Sequence, residues 1–175
     1  MKKGGIGGAN TKTGLYFEGK MDFLTFIGKQ KNYNAKGNRI FYNSEEVGVS
    51  FKKHGLYKYL EENNIDYKKF ISKKLLPDNV IFVIINNTFF ILEIKFQEIY
   101  GSTDEKLQTC DFKIKQYRKL LSRLNVEVKY IYILNDWFKQ PGYKDVLDYI
   151  ISIEGCYYYF NYLPLQKIGL PVPNL

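Results

Sequence analysis

Two runs of β-forming residues, one short turn apart, constrain this chain more than any other feature. Val80-Ile81-Phe82-Val83-Ile84-Ile85 leads into Asn86-Asn87, and Phe89-Phe90-Ile91-Leu92-Glu93-Ile94-Lys95 follows. Branched and aromatic residues on both sides of a polar turn pair spell a β-hairpin. Neither run alternates apolar with polar, so both faces of this hairpin must be covered. Covering them takes helices, and the flanking sequence offers them.

Downstream, Ser102-Thr103-Asp104-Glu105 has the spacing of a capping box. Leu107, Cys110, Ile114, Tyr117, Leu121 and Leu124 then recur three and four apart, which predicts an amphipathic helix. A strand is expected over 126–134. A helix of about five turns separates it from the second hairpin strand, so the two can run parallel. Residues 145–153 read as a helix and 156–162 as an aromatic strand. The Pro-rich end, 164–175, is expected to be extended and to lie on the surface. Upstream, residues 1–14 form a Gly-rich segment, and Phe17, Met21, Leu24 and Ile27 mark one helix face. Residues 29–43, polar with Asn, Lys and Gly, read as a loop, and 56–62 and 67–75 as short helices. The expected fold is α/β, a mixed central β-sheet flanked by helices, in a single domain spanning 1–175.

Charge narrows the partners. Lys and Arg number 26 against 18 Asp and Glu, a formal net charge of +8. Such a surplus attracts polyanions, nucleic acid first and an anionic membrane second. Cys110 and Cys156 are too few for a disulfide scaffold, form no zinc pattern, and read as buried thiols. Met1-Lys2-Lys3 runs into glycines without a signal peptide's apolar centre, and the apolar run 80–85 is too short to span a bilayer. A cytoplasmic protein with no membrane partner is expected. Thr11 stands where a P-loop needs Gly before its Lys-Thr, so no nucleotide cofactor is expected. His54, the sole histidine, lies among Lys52, Lys53 and Gly55 with no nucleophile beside it, and is assigned no role.

With a tight turn at Asn86-Asn87, Val80 stands opposite Glu93 and Asp78 opposite Lys95. Opposed residues share a face, as do residues two apart on a strand. Asp78, Glu93 and Lys95 therefore converge at the open end of the hairpin, provided that the connecting loop has an even length. Two carboxylates and an ammonium in so apolar a sheet need compensation. A hard cation such as Mg²⁺, with Mn²⁺ as a substitute, takes carboxylates, waters and a substrate phosphate. It would polarise a phosphoryl oxygen and activate a water, while Lys95 orients that water and offsets developing charge.

Pro77-Asp78, Glu93 fifteen residues on, and Glu93-Ile94-Lys95 resemble the PD-(D/E)XK nuclease motif. Lys95-Phe96-Gln97 and Gly101-Ser102-Thr103-Asp104-Glu105-Lys106 look like the strand-to-helix segment of type II restriction endonucleases, and Gly14-Leu15-Tyr16-Phe17-Glu18 resembles their first core helix. The likeness covers roughly residues 8–135. It implies a restriction-endonuclease-like core of helix, hairpin, helix and strand. It also implies a homodimer that cleaves double-stranded DNA at a short sequence, leaving 5′-phosphate and 3′-hydroxyl ends. On this likeness Asp78, Glu93 and the backbone carbonyl of Ile94 bind Mg²⁺, and Glu18 is a candidate further ligand. Lys95 is the catalytic base or electrostatic helper, and Gln97 a backbone or water contact. From the residues themselves, Lys106 and Lys113 on the amphipathic helix could meet phosphates. Lys29, Lys31, Lys36, Asn38 and Arg39 could reach base edges. The competing readings are a DNA-repair or junction-resolving nuclease, a non-catalytic DNA-binding module, and a structural α/β protein with incidental basicity.

Overall fold

The central hairpin forms because its branched and aromatic residues fill both layers of a core. The structure, a computed structural model, describes residues 14–16, 22–101 and 103–173. In chain order its elements are β1 (Gly14–Tyr16), α1 (Phe23–Ile27), β2 (Tyr33–Lys36), β3 (Arg39–Tyr42) and β4 (Glu45–Phe51). Next come α2 (Gly55–Glu62), β5 (Asn79–Val83), β6 (Thr88–Lys95), α3 (Thr103–Leu107), α4 (Cys110–Leu121) and β7 (Glu127–Leu134). The chain closes with α5 (Lys144–Ser152), β8 (Cys156–Phe160) and β9 (Tyr162–Pro164). A seven-stranded open sheet has the order β2-β3-β4-β5-β6-β7-β8, and β1 pairs separately with β9. Strands β2 to β6 run antiparallel, whereas β7 lies parallel to β6 and β8 parallel to β7. The fold is mixed α/β, with helices on the sheet as the apolar pattern requires.

Alternation sorts the side chains into two layers. Val80, Phe89, Ile91, Tyr130 and Tyr132 face α2, α4 and α5, packing on Leu56, Leu60, Ile114, Tyr117 and Ile150. Ile81, Val83, Phe90, Leu92, Ile131 and Ile133 face the other way, onto Phe23, Ile27, Leu163, Leu165 and Ile168. Both faces of the hairpin are thus buried. The parallel β7 and the helices near 110–121, 144–152 and 55–62 also stand where the periodicity puts them.

Several expectations need correcting. The hairpin turn has four residues rather than two: Val83 pairs with Thr88 and Asn79 with Leu92. Asn87 adopts a left-handed backbone (φ 50°), which Asn tolerates, and Ile84 and Ile85 leave the strand for solvent. The register slides by two, so the side chains keep their faces. The expected loop 29–43 contains the β2–β3 hairpin. There Lys36 pairs with Arg39 across Gly37-Asn38, with Gly37 at φ +61°, and Tyr33 and Ile40 are buried. Polar composition hid a Gly-Asn turn of the kind that two-residue hairpins use. The strand β4 had no sequence assignment at all. In place of a helix over 67–75 there is one 3₁₀ turn, Tyr67–Lys69, capped by Asp66, and then an irregular strap to Pro77.

The first helix is short and starts at Phe23, where the Asp22 carboxylate caps the Leu24 N–H at 3.2 Å. Gly14–Tyr16 form a strand, and Phe17, Glu18 and Met21 lie outside the described residues. So does Ser102 of the capping box. The long helix breaks between α3 and α4, and a 3₁₀ turn, Ser122–Leu124, ends it. The aromatic strand ends at Asn161 (φ 52°), which separates β8 from β9. The C-terminal segment does not lie on the surface: Leu165, Ile168 and Leu170 are core residues. Cys110 and Cys156 are buried free thiols.

Candidate functional site

Parallel strands β6, β7 and β8 all end at the edge of the sheet where Asp78 enters β5. Ligands of open α/β sheets characteristically sit at such carboxyl ends. Pro77 is buried and, by register, would stand opposite Ile94. Proline has no N–H to continue the ladder. Regular pairing stops at Asn79–Leu92, and the Ile94 N–H donates instead to the Asp78 carboxylate at 2.8 Å. An antiparallel residue directs its N–H and C=O to the same neighbour. The Ile94 carbonyl therefore also faces the Asp78 side, where Pro77 has no donor to offer.

Glu93 shares the α4 face of the sheet and is 9% exposed. Lys95, two residues on, places its Nζ 2.7 Å from Glu93 Oε2. Lys113 of α4 reaches in from above, with its Nζ 3.1 Å from Oε1. Burial alone would raise the pKa of Glu93. The Lys95 charge, the Lys113 charge and then their hydrogen bonds outweigh it, holding the carboxyl below the usual carboxylate range. Tyr130 lies beneath, its ring centroid 5.8 Å from Lys113 Nζ. Its hydroxyl is buried and makes no well-formed hydrogen bond among the described residues, with Glu93 and Tyr132 beside it, and burial, then the Glu93 charge, push its pKa far up. Tyr117 is raised likewise by burial and then by the charges of Glu93, Tyr57 and Asp78, which marks these groups as neighbours.

Asp78, Glu93 and Lys95 thus meet on one face at the open end of the hairpin, with Asp78 at the register position of Glu93 instead of Lys95. Lys113, named from sequence as a phosphate contact, is half-buried and clamps Glu93. That contact spans twenty residues and two elements, so no local pattern announces it. Gln97 is buried. Its N–H donates to Asn135 Oδ1 at 3.2 Å, its carbonyl accepts from Asn135 Nδ2 at 2.8 Å, and its Nε2 donates to the Tyr143 hydroxyl at 3.5 Å. These bonds tie the exit of β6 to the end of β7. Lys36, Asn38 and Arg39 sit at the β2–β3 turn, with β3 two strands from β5 and so about 10 Å across the sheet. Arg39 pairs with Glu46 at 2.9 Å, and Lys36 stands over the Phe41 ring. Glu18 lies outside the described residues.

Among the described residues, no group of three His, Cys, Asp or Glu side chains is placed to hold a metal. Asp78 and Glu93 still supply two carboxylates, and Mg²⁺ ordinarily takes one or two together with water and phosphate. The donor set fits that ion once one lysine releases its Glu93 oxygen. No helix among the described residues is long and apolar enough to cross a membrane. No protein-family model, curated protein or solved structure matches this chain.

Proposed function

We propose that the chain is a Mg²⁺-dependent endonuclease with a restriction-endonuclease-like core, hydrolysing double-stranded DNA at a short specific sequence and leaving 5′-phosphate ends. The observation that carries this reading is the meeting of Asp78, Glu93 and Lys95 at the end of β5 and β6, with Lys95 Nζ 2.7 Å from Glu93. The succession of hairpin, α4 and parallel β7 agrees with the core that the PD-(D/E)XK resemblance implies. The net charge of +8 suits a polyanionic substrate.

In this mechanism Asp78, Glu93 and the Ile94 carbonyl would hold the cation. When bound, Mg²⁺ supplies Lewis-acid polarisation of the scissile phosphoryl group and acidifies a water. The Lys95 ammonium orients the attacking water and offsets the charge gathering on the phosphoryl oxygens, while the proton of that water passes to solvent. Lys113 keeps Glu93 ionised and fixed while Lys95 turns to the substrate. A homodimer would place a second copy of the site on the other strand of the duplex.

A non-catalytic DNA-binding module is the second reading, favoured by the double lysine clamp that satisfies both Glu93 oxygens. Plasmid digestion with Mg²⁺ separates the two. Discrete fragments from the wild type, lost in both Asp78→Ala and Lys95→Ala, are the expected result. DNA retention without cleavage under Mg²⁺ or Mn²⁺ would favour the binding module, and cleavage unchanged in the variants would remove the site assignment.

A further inference from the structure

Lysines crowd the ledge that leads into Asp78. From Lys52 to Lys74 the chain carries seven lysines against Glu61, Glu62 and Asp66. Lys52 pairs with Asp22 at 2.8 Å. Lys58, Lys68, Lys69, Lys73 and Lys74 are exposed, and among the described residues none of them makes an ion pair. Elsewhere, exposed Lys115, Lys139 and Lys144 each sit within 2.8 Å of an aspartate, while Lys36, Lys106, Lys119 and Lys167 are exposed without an ion pair among the described residues but do not cluster in sequence as the ledge lysines do. Of the nearby acids, Asp66 is engaged in capping the Lys68 N–H at 3.0 Å.

The ledge is shaped as well as charged. Lys58, Lys68 and Lys74 line an open depression of about 720 Å³ with Tyr57 and Tyr67, and Glu61 and Asp66 also border it. Lys74 Nζ lies 4.9 Å from the Tyr57 ring centroid and 5.0 Å from that of Tyr67. Two aromatic faces steady the ammonium without cancelling its charge. The Tyr57 hydroxyl accepts from the Leu75 N–H and donates to the Leu75 carbonyl, pinning the strap between Lys74 and Asp78. Four residues span at most about 14 Å, so Lys74 stands within about four nucleotide steps of Asp78 along a strand.

We propose that this ledge is the track for the sugar–phosphate backbone of duplex DNA flanking the bond held at Asp78, Glu93 and Lys95. The proposal rests on the nuclease reading above. A ligand with regularly spaced phosphates suits a group of unpaired lysines, one of them steadied by two rings, and each neutralised phosphate contributes about 0.9 to the slope of log K against log[salt].

The test is fluorescence anisotropy of a labelled DNA duplex in EDTA, over a salt series, with the full chain. Lys68→Ala/Lys73→Ala/Lys74→Ala is expected to flatten the salt slope by about 2 to 3. It should weaken binding equally on unrelated sequences. Lys115→Ala/Lys139→Ala/Lys144→Ala, equal in charge removed, should keep the wild-type slope. If the wild type binds with a salt slope that both triple variants share, the track is overturned and the nuclease reading stands. If the wild type binds duplex DNA with no salt dependence, both fall.

Discussion

Glu93 stays ionised although nearly buried because an ammonium faces each of its oxygens. Its folded pKa lies below its ordinary value of 4.5. A depressed carboxyl stabilises the fold fully above the unfolded pKa and loses that contribution as pH falls through the folded one. Urea denaturation from neutral pH downward should therefore show stability declining below about pH 4.5. Glu93→Gln should lose stability at neutral pH and show a shallower acid decline. An equal decline in both proteins would mean that other carboxylates dominate. Beneath Glu93, the Tyr130 hydroxyl is buried and makes no well-formed hydrogen bond among the described residues. An unsatisfied buried polar group costs about 1–3 kcal/mol. Tyr130→Phe is accordingly expected to be neutral or to stabilise by up to about 1 kcal/mol in thermal or urea denaturation. A loss of more than about 1 kcal/mol would instead mean that the hydroxyl is bonded through a water or to Glu93 itself.

At the scale of elements, one side chain makes both side-chain hydrogen bonds that pin the strap before β5 among the described residues. Tyr57 is 6% exposed and satisfies both backbone groups of Leu75. Tyr57→Phe keeps the ring and removes both bonds, a loss of about 1–2 kcal/mol at about 1 kcal/mol net per bond. Hydrogen exchange should show Leu75 and its neighbours losing protection while β6 and β7 keep theirs. Uniform loss across the sheet would mean that Tyr57 supports the core and not the strap. The same region shows what a sequence conceals. The β5–β6 hairpin, α4 and β7 were legible because apolar periodicity is strong where both faces of a sheet are buried. The face shared by Asp78, Glu93 and Lys95 survived a two-residue register error because side chains alternate with a period of two. The strands β2, β3 and β4 were not legible. Tyr33, Ile40 and Val47 are their scattered buried positions among exposed Asn, Lys, Glu and Gly. The strap invites a helix because Tyr67, Phe70, Ile71 and Leu75 have helical spacing, yet the turn that starts at Tyr67 stops at Ile71, and Tyr57 and buried Pro77 fix the chain beyond it. The Lys113 clamp and the Gln97–Asn135 bonds join residues far apart in sequence, where no periodicity reaches.

The molecule as a whole depends on its last residues. After β9 a 3₁₀ turn, Leu165–Ile168, folds the chain back under the sheet, and Leu165, Ile168 and Leu170 are 0%, 0% and 2% exposed. They complete the layer formed by Phe23, Ile27, Ile81 and Phe90. The Tyr33 hydroxyl donates to the Pro171 carbonyl, joining the tail to β2. Burying a Leu or Ile side chain contributes about 1.5–3 kcal/mol, so the three together contribute roughly 5–9 kcal/mol. That is comparable to the 5–15 kcal/mol net stability typical of a whole domain. A chain ending at Pro164 is therefore expected to lose its cooperative thermal transition in circular dichroism, and with it any DNA binding. Gln166→Ala and Lys167→Ala alter exposed positions of the same turn and should leave the transition within about 0.5 kcal/mol of wild type. A truncated chain that melts cooperatively near the wild-type temperature would show that β2 to β8 fold without this cover. One face of Ile81, Phe90 and Ile131 would then be open to water, and the two-sided burial that fixes the register of the central hairpin would have to come from elsewhere.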